Sequence, residues 1–170
     1  MSSAAERVQA KLGERVRAAA PQRDDVPSFE IEASAVADVC RTLRDEAGFE
    51  SATFVTAIDR YPAEPRYELV VQLLSVTHND RVRLIARVSG DNPSVPSITP
   101  LWPGASFMER ECYDMFGIRF EGHPDLRRLL MPDEYEHYPL RKDFPHQGIE
   151  PDRLYNEWDK KRRAAQEQSS

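Results

Sequence analysis

Cysteine is scarce in this chain of 170 residues: only Cys40 and Cys112 occur, and neither belongs to a C-x-x-C pair. An iron–sulfur cluster or a structural zinc site takes about four protein ligands, so two lone cysteines supply neither alone. Both fall in segments of helical periodicity, where the favoured reading is a small buried hydrophobe. The four histidines, His78, His123, His137 and His146, include no pair at i, i+3 or i, i+4. That spacing disfavours a metal site; His123, just before Pro124, reads as a turn residue held by hydrogen bonding. Basic charge is also short, with 23 Lys and Arg against 29 Asp and Glu and a net charge of −6. General nucleic-acid binding, which neutralises phosphates with a basic surface, is therefore disfavoured. No apolar run approaches the ~18 residues of a membrane span. Residues 1–20 mix Glu6, Arg7, Lys11, Glu14, Arg15 and Arg17 with small apolar residues and lack the apolar stretch of a signal peptide. A chain on the cytosolic side is the expectation. H-E-x-x-H, G-x-S-x-G and glycine-rich phosphate loops are absent.

What is present suits one domain with extensions, since 40% hydrophobic residues suffice for a core. Val8, Leu12, Val16 and Ala19 recur at helical spacing and predict a helix over 4–20, stopped by Pro21. Gln22 to Ser28, with Pro27, reads as a linker. A second helix is expected from an N-cap at Ser34, burying Val36, Val39, Cys40, Leu43 and Ala47 and ending at Gly48. Three strands follow, Ala52–Asp59, Arg66–Thr77 and Arg81–Ser89. The second is apolar on both faces, as a central strand would be. The third alternates Val82, Leu84, Ala86 and Val88 with Arg81, Arg83 and Arg87. His78, Asn79 and Asp80 have turn chemistry, so the last two strands should form an antiparallel hairpin. Gly90 to Pro103, with four prolines, excludes regular helix or central strand. A helix is expected over Ala105–Phe116, closed by Gly117, then a short strand over Ile118–Phe120 and a charged helix over 152–166. The fold class is α+β: a small, mostly antiparallel sheet packed with helices, plus an extended proline-rich C-terminal arm. The division expected is an N-terminal helix and linker (1–27), a core (28–121) and the arm with its terminal helix (122–170).

Residues 102–145 concentrate the unusual chemistry. On the expected helix, Met108, Cys112 and Met115 form one stripe and Glu109, Tyr113 and Phe116 another. Arg110 and Asp114, four apart, are placed to pair on the surface. Glu109, Glu111 and Asp114 could be read as acid–base or metal-binding carboxylates. A solvated or partner-facing charge network is preferred, because the carboxylates of E-x-E on a helix point about 200° apart. Beyond the helix, Arg127, Arg128, Arg141 and Lys142 stand among Leu126, Leu129, Leu130, Met131, Tyr135, Tyr138, Leu140 and Phe144. That mixture has the composition of an interface more than of a loop wrapping its own domain.

These residues also carry a family resemblance. ERECYDMFGIRFEGHPDLRRLLMP, from Glu109 to Pro132, and PLRKDFP, from Pro139 to Pro145, resemble the signature blocks of the C subunit of the proton-pumping NADH:quinone oxidoreductases (respiratory complex I). Upstream, RYELVVQLLS, NDRVRL and VPSITPLWPGA are similar in order and spacing, so the likeness spans about residues 50–145. Two features depart from the pattern: Phe107 stands where the family often has Trp, and His137-Tyr138 where a glycine-containing pair is common.

The resemblance implies a non-catalytic α+β subunit with no prosthetic group, in a complex that uses NADH, FMN, iron–sulfur clusters and quinone. It places the chain peripherally on the cytoplasmic side of the inner membrane, against the quinone-site D subunit and the cluster-bearing B and I subunits, with membrane contact only through partners. Glu109, Arg110, Glu111, Asp114 and Gly117 would belong to the signature helix and its cap. Gly122, His123, Pro124, Asp125, Arg127 and Arg128 would form the following turn. Pro139, Leu140, Arg141, Lys142 and Asp143 would belong to an arm embracing neighbouring subunits. Because the sequence ends at Ser170, no fused quinone-site subunit is expected. The matching subunit of a membrane-bound hydrogenase, or of another ferredoxin or quinone oxidoreductase, is the alternative. Two readings of other classes are a metal enzyme or hydrolase built on Glu109, Glu111, Asp114 and His123, and a nucleic-acid module built on the Arg81–Arg87 strand.

Overall fold

The structure is a computed structural model that describes residues 3–20, 23–146 and 151–167. Pro21 and Gln22 of the expected linker, and residues 147–150 and 168–170 of the expected arm and terminal helix, lie outside them. In chain order the elements are α1 (Ala4–Leu12), β1 (Arg17–Ala18), β2 (Ser28–Ile31), α2 (Val36–Ala47), β3 (Ser51–Asp59) and β4 (Tyr67–Ser75). Then come β5 (Asp80–Val88), β6 (Ser94–Pro96), α3 (Ala105–Phe116), β7 (Arg119–Glu121) and α4 (Pro151–Glu167).

Five strands form one sheet in the order β1-β2-β5-β4-β3, and β6 and β7 form a separate parallel pair. Within the main sheet only β2 and β5 run parallel; the other three pairings are antiparallel. The fold is therefore α+β with a mostly antiparallel sheet, as expected. Strand β4 is an inner strand between β5 and β3, buried on both faces, and the β4–β5 hairpin turns at residues 76–79. Successive side chains alternate between faces. Val55, Ala57, Leu69, Val71, Leu73, Val82, Leu84 and Ala86 thus face one way, into a single core shared with α1, α2 and α3. Cys40 and Cys112 lie in this core as free thiols, and burial pushes both thiols up.

Three expectations are corrected. The helix expected over 4–20 ends at Leu12: Gly13 takes φ +51, and Val16, although buried, is already extended. Part of the expected linker, with the residues after it, becomes β2, whose Phe29 and Ile31 alternate into the core beside Leu84 and Ala86 of β5. Ser34 does not cap α2; it sits in a 3-10 turn over Ala33–Ala35 that leads into the helix. Helix α3 starts and ends where expected, with Gly117 left-handed at its C-terminus. After β7, residues 122–146 contain no helix or strand.

Candidate interaction surface

Helix α3 buries Ala105, Glu109, Cys112, Asp114, Met115 and Phe116 against β3 and the loop after β6. Two of these residues are carboxylates and both are fully buried, so the expected solvated or partner-facing network is corrected for both. Glu109 accepts hydrogen bonds from Ser97 Oγ at 2.6 Å, Ile98 N–H at 2.6 Å and Thr99 Oγ1 at 3.0 Å. It thereby ties α3 to the loop that follows β6. A buried carboxylate is stable only when its lone pairs are satisfied, and here the loop supplies the donors.

Asp114 does the same for the segment after β7. Its Oδ2 accepts the consecutive N–H groups of Leu129, Leu130 and Met131 at 3.0, 2.6 and 2.9 Å. Its Oδ1 accepts from Arg128 Nη1 at 2.7 Å. Successive N–H groups converging on one oxygen form an anion-binding nest. Burial alone would raise the Asp114 carboxyl; the Met131 and Leu130 N–H groups, Arg128 and the Leu129 N–H outweigh it and hold it low. The expected Arg110–Asp114 surface pair does not form. Arg110 instead donates to the carbonyls of Arg127 at 3.1 Å and Arg128 at 2.9 Å. Helix α3 thus holds the segment's N–H groups with an acidic side chain and its carbonyls with a basic one.

A third tie fastens residues 138–143 to the end of the sheet. Asp59 accepts from Arg66 at 3.0 and 2.8 Å, from Tyr61 N–H at 2.9 Å and from Lys142 N–H at 2.8 Å. Arg66 also forks onto Asp143 at 2.7 and 3.0 Å. Arg141 donates from Nε to the Phe116 carbonyl at 2.7 Å and stacks over Tyr138, 4.2 Å from the ring centroid. Leu140 N–H reaches the Met115 carbonyl at 3.1 Å. This crossing lies against Gly117, where a Cβ atom would stand 2.8 Å from the Tyr138 ring.

Burial alone would raise Asp59; Arg66 and the N–H groups of Lys142 and Tyr61 outweigh it and hold the carboxyl at about 2, against an ordinary 3.8. A depressed carboxyl stabilises the fold above its unfolded value and stops doing so as pH falls through the folded value. The wild-type advantage over Asp59→Asn is therefore complete above about pH 4 and shrinks by about 2 kcal/mol towards pH 2. Urea unfolding of both proteins across that interval measures it, and a pH-independent difference would contradict it.

His123 occupies the expected turn. Its Nδ1 accepts the Asp125 N–H at 3.0 Å, so in the neutral ring Nε2 carries the proton and donates to Ser106 Oγ at 3.0 Å. A base that activates serine needs the opposite tautomer. Glu111 is exposed on the helix side away from Glu109, and Arg127 pairs with Asp125 at the surface. Gly122 and Pro124 are exposed in the turn after β7, and Pro139 is half-buried before Leu140. No group of three or more His, Cys, Asp or Glu positioned for a metal occurs among the described residues. No helix among them is long and apolar enough to cross a membrane.

The sequence-identified residues thus converge on α3 and the chain segment lying over it. The segment's polar groups go to its own domain, so it wraps that domain, which composition had ranked second to contact with another molecule. Its large apolar residues do not all follow: Leu130 is 63% exposed and Leu140 53%, and Phe107 on α3 is 62% exposed beside Arg110. Asp59 and Arg66, which complete the third tie, were missed by sequence reading. Their signal was weak: a charge at each neighbouring end of two strands.

Fold and segment together define an α+β module of a kind found in respiratory membrane assemblies. Over 83% of each chain it superposes on a chain of the membrane-bound sulfane sulfur reductase, an archaeal respiratory membrane complex, with TM-score 0.71 and 26% identity. It also matches the whole of the trypsin-resistant fragment (1–134) of Nqo5 with 73% of this chain, TM-score 0.61 and 27% identity. Residues 29–150 match the family described as respiratory-chain NADH dehydrogenase, 30 Kd subunit, and the chain belongs to that family. The C subunit of the NADH-quinone oxidoreductase of Roseiflexus sp. (strain RS-1) is 44% identical over 142 residues, 82% of this chain and 81% of the relative. The corresponding subunit of Salinispora tropica is 40% identical over 152 residues, 88% of this chain and 62% of the relative.

Proposed function

We propose that the chain is a non-catalytic, cofactor-free subunit in the peripheral arm of a proton-translocating NADH:quinone oxidoreductase. It holds the quinone-site D subunit and the cluster-bearing B and I subunits in register for electron transfer from NADH to quinone, on the cytoplasmic side of the membrane. FMN and the iron–sulfur clusters belong to other subunits of the complex. The observation that supports this most is how the signature carboxylates are used. Glu109 and Asp114 are spent on fixing two loops to α3, and Asp59 on fixing a third stretch. The result is a rigid outer layer carrying Phe107, Leu130, Leu140, Arg127 and Lys142 outward. Such a mixture of exposed apolar and basic side chains on pinned backbone suits an interface. Electron transfer between fixed centres needs a rigid frame, which buried contact area supplies.

The likeness to the sulfane sulfur reductase chain supports a second reading, the same scaffold in another membrane-bound respiratory or hydrogenase complex. Purification of the tagged chain from native membranes separates them. The expected result is co-purification with NADH- and quinone-handling subunits, and NADH:quinone turnover in the eluate. A chain recovered alone, or with a nickel-binding hydrogenase subunit, would overturn the proposal.

A further inference from the structure

We propose that the open face of the sheet is a second docking surface, and that it takes a partner subunit presenting an apolar patch with an acidic rim. The inference rests on the reading of the chain as a subunit of an assembly and adds a surface on the other side of the sheet. Helices α1, α2 and α3 share a core on one face only. On the opposite face, exposed Phe54 and Ile58 of β3 flank Thr56, beside buried Val70 of β4 and half-buried Ile85 of β5, as an apolar strip.

The strip is made by an irregularity in β3. The register with β4 shifts between Ala52 and Phe54, leaving Thr53 as the extra residue. Ala52 faces the core, so with unbroken alternation Phe54, two positions on, would face it too. The bulge turns Phe54 outward, 51% exposed, while Val55 and Ala57 return to the core. Bulges re-aim side chains in this way. Turning a phenylalanine to water gains nothing in the isolated chain, whereas a partner that buries it would.

The charge around the strip sets the partner's chemistry. Arg23, Arg60, Arg81, Arg83 and Arg87 surround it, in a chain whose net charge is −6. Three of the four carboxylates there are already engaged: Glu68 by Arg60 and Arg87, Asp24 by Arg83, and Glu30 by Arg87 at 3.8 Å. Asp25 stands at the outer corner beside Arg81. The surplus is cationic, so carboxylates of a partner complete the rim. A second copy set face to face would bring arginines against arginines. A nucleic acid would leave the apolar centre uncovered.

The test places a photo-crosslinking amino acid at Phe54, and separately at Phe107, in the full chain expressed in native membranes. The expected product at Phe54 joins a different subunit of the same complex, within a peptide containing Asp or Glu. Arg81→Glu, at a residue with no ion pair of its own among the described residues, should cut its yield about fivefold. Crosslinking at Phe107 but not at Phe54 overturns this inference and leaves the proposed function standing. A Phe54 product with a second copy of the chain, or with a peptide lacking acidic residues, overturns it too. Failure at both positions counts against the subunit reading itself.

Discussion

Asp114→Ala lowers the stability of the isolated chain by about 3–5 kcal/mol, the range for removing one partner of a buried charge network. The substitution strips the acceptor from three consecutive N–H groups, those of Leu129, Leu130 and Met131, and from Arg128, whose side chain is only 9% exposed. Each buried donor left without an acceptor costs about 1–3 kcal/mol, more where it is charged. Part of this is recovered as residues 127–131 swing into water. Urea denaturation gives the loss, and faster amide exchange at 129–131 shows where it arises. Asp114→Asn restores less than half of it, because the carboxamide keeps one acceptor but turns two donors towards groups that are donors themselves. A loss below about 1 kcal/mol for Asp114→Ala would mean that the nest does not hold the segment.

Gly117→Ala is expected to cost about 2–4 kcal/mol, from two separable causes. The residue sits at φ +79, which an L side chain resists by about 1–2 kcal/mol. Its Cβ would also run into the Arg141 guanidinium and stand 2.8 Å from the Tyr138 ring on which Arg141 is stacked, displacing both. Gly122 provides the control: it has φ +80, and a Cβ added there would meet nothing within 4 Å. Gly122→Ala therefore carries the conformational cost alone, and the difference in unfolding free energy between the two variants isolates the clash. Equal losses would show that the Arg141–Tyr138 crossing yields without cost.

The two glycines mark where sequence reading worked and where it stopped. Helix α3 was legible to the residue because its apolar positions recur at helical spacing up to a glycine that can turn left-handed. Strands β3, β4 and β5 were legible through alternation and turn chemistry. Strand β2 was hidden because four residues after a proline carry little periodic signal, and its partner β5 lies more than fifty positions along the chain. The Arg110–Asp114 pair was misread for a related reason. Spacing of four describes neighbours on an isolated helix, but Asp114 is claimed by N–H groups 15 to 17 positions away. Glu109 carried a usable hint, since it shares a helical stripe with Phe116 and lies three positions from Cys112, both buried. A carboxylate on such a stripe either has dedicated donors or does not stay there. The bulge at Thr53 left no mark in the sequence at all.

The central claim is that α3 and residues 122–146 act as a contact surface and not as an active site. Arg141→Ala tests it most directly, because the side chain crosses from that segment to the end of α3 at the Phe116 carbonyl. The measurement is NADH:quinone turnover per assembled complex, with the amount of complex quantified from the same native membranes. The expected result is fewer assembled complexes, each turning over at the wild-type rate. Normal assembly with lost turnover would contradict it.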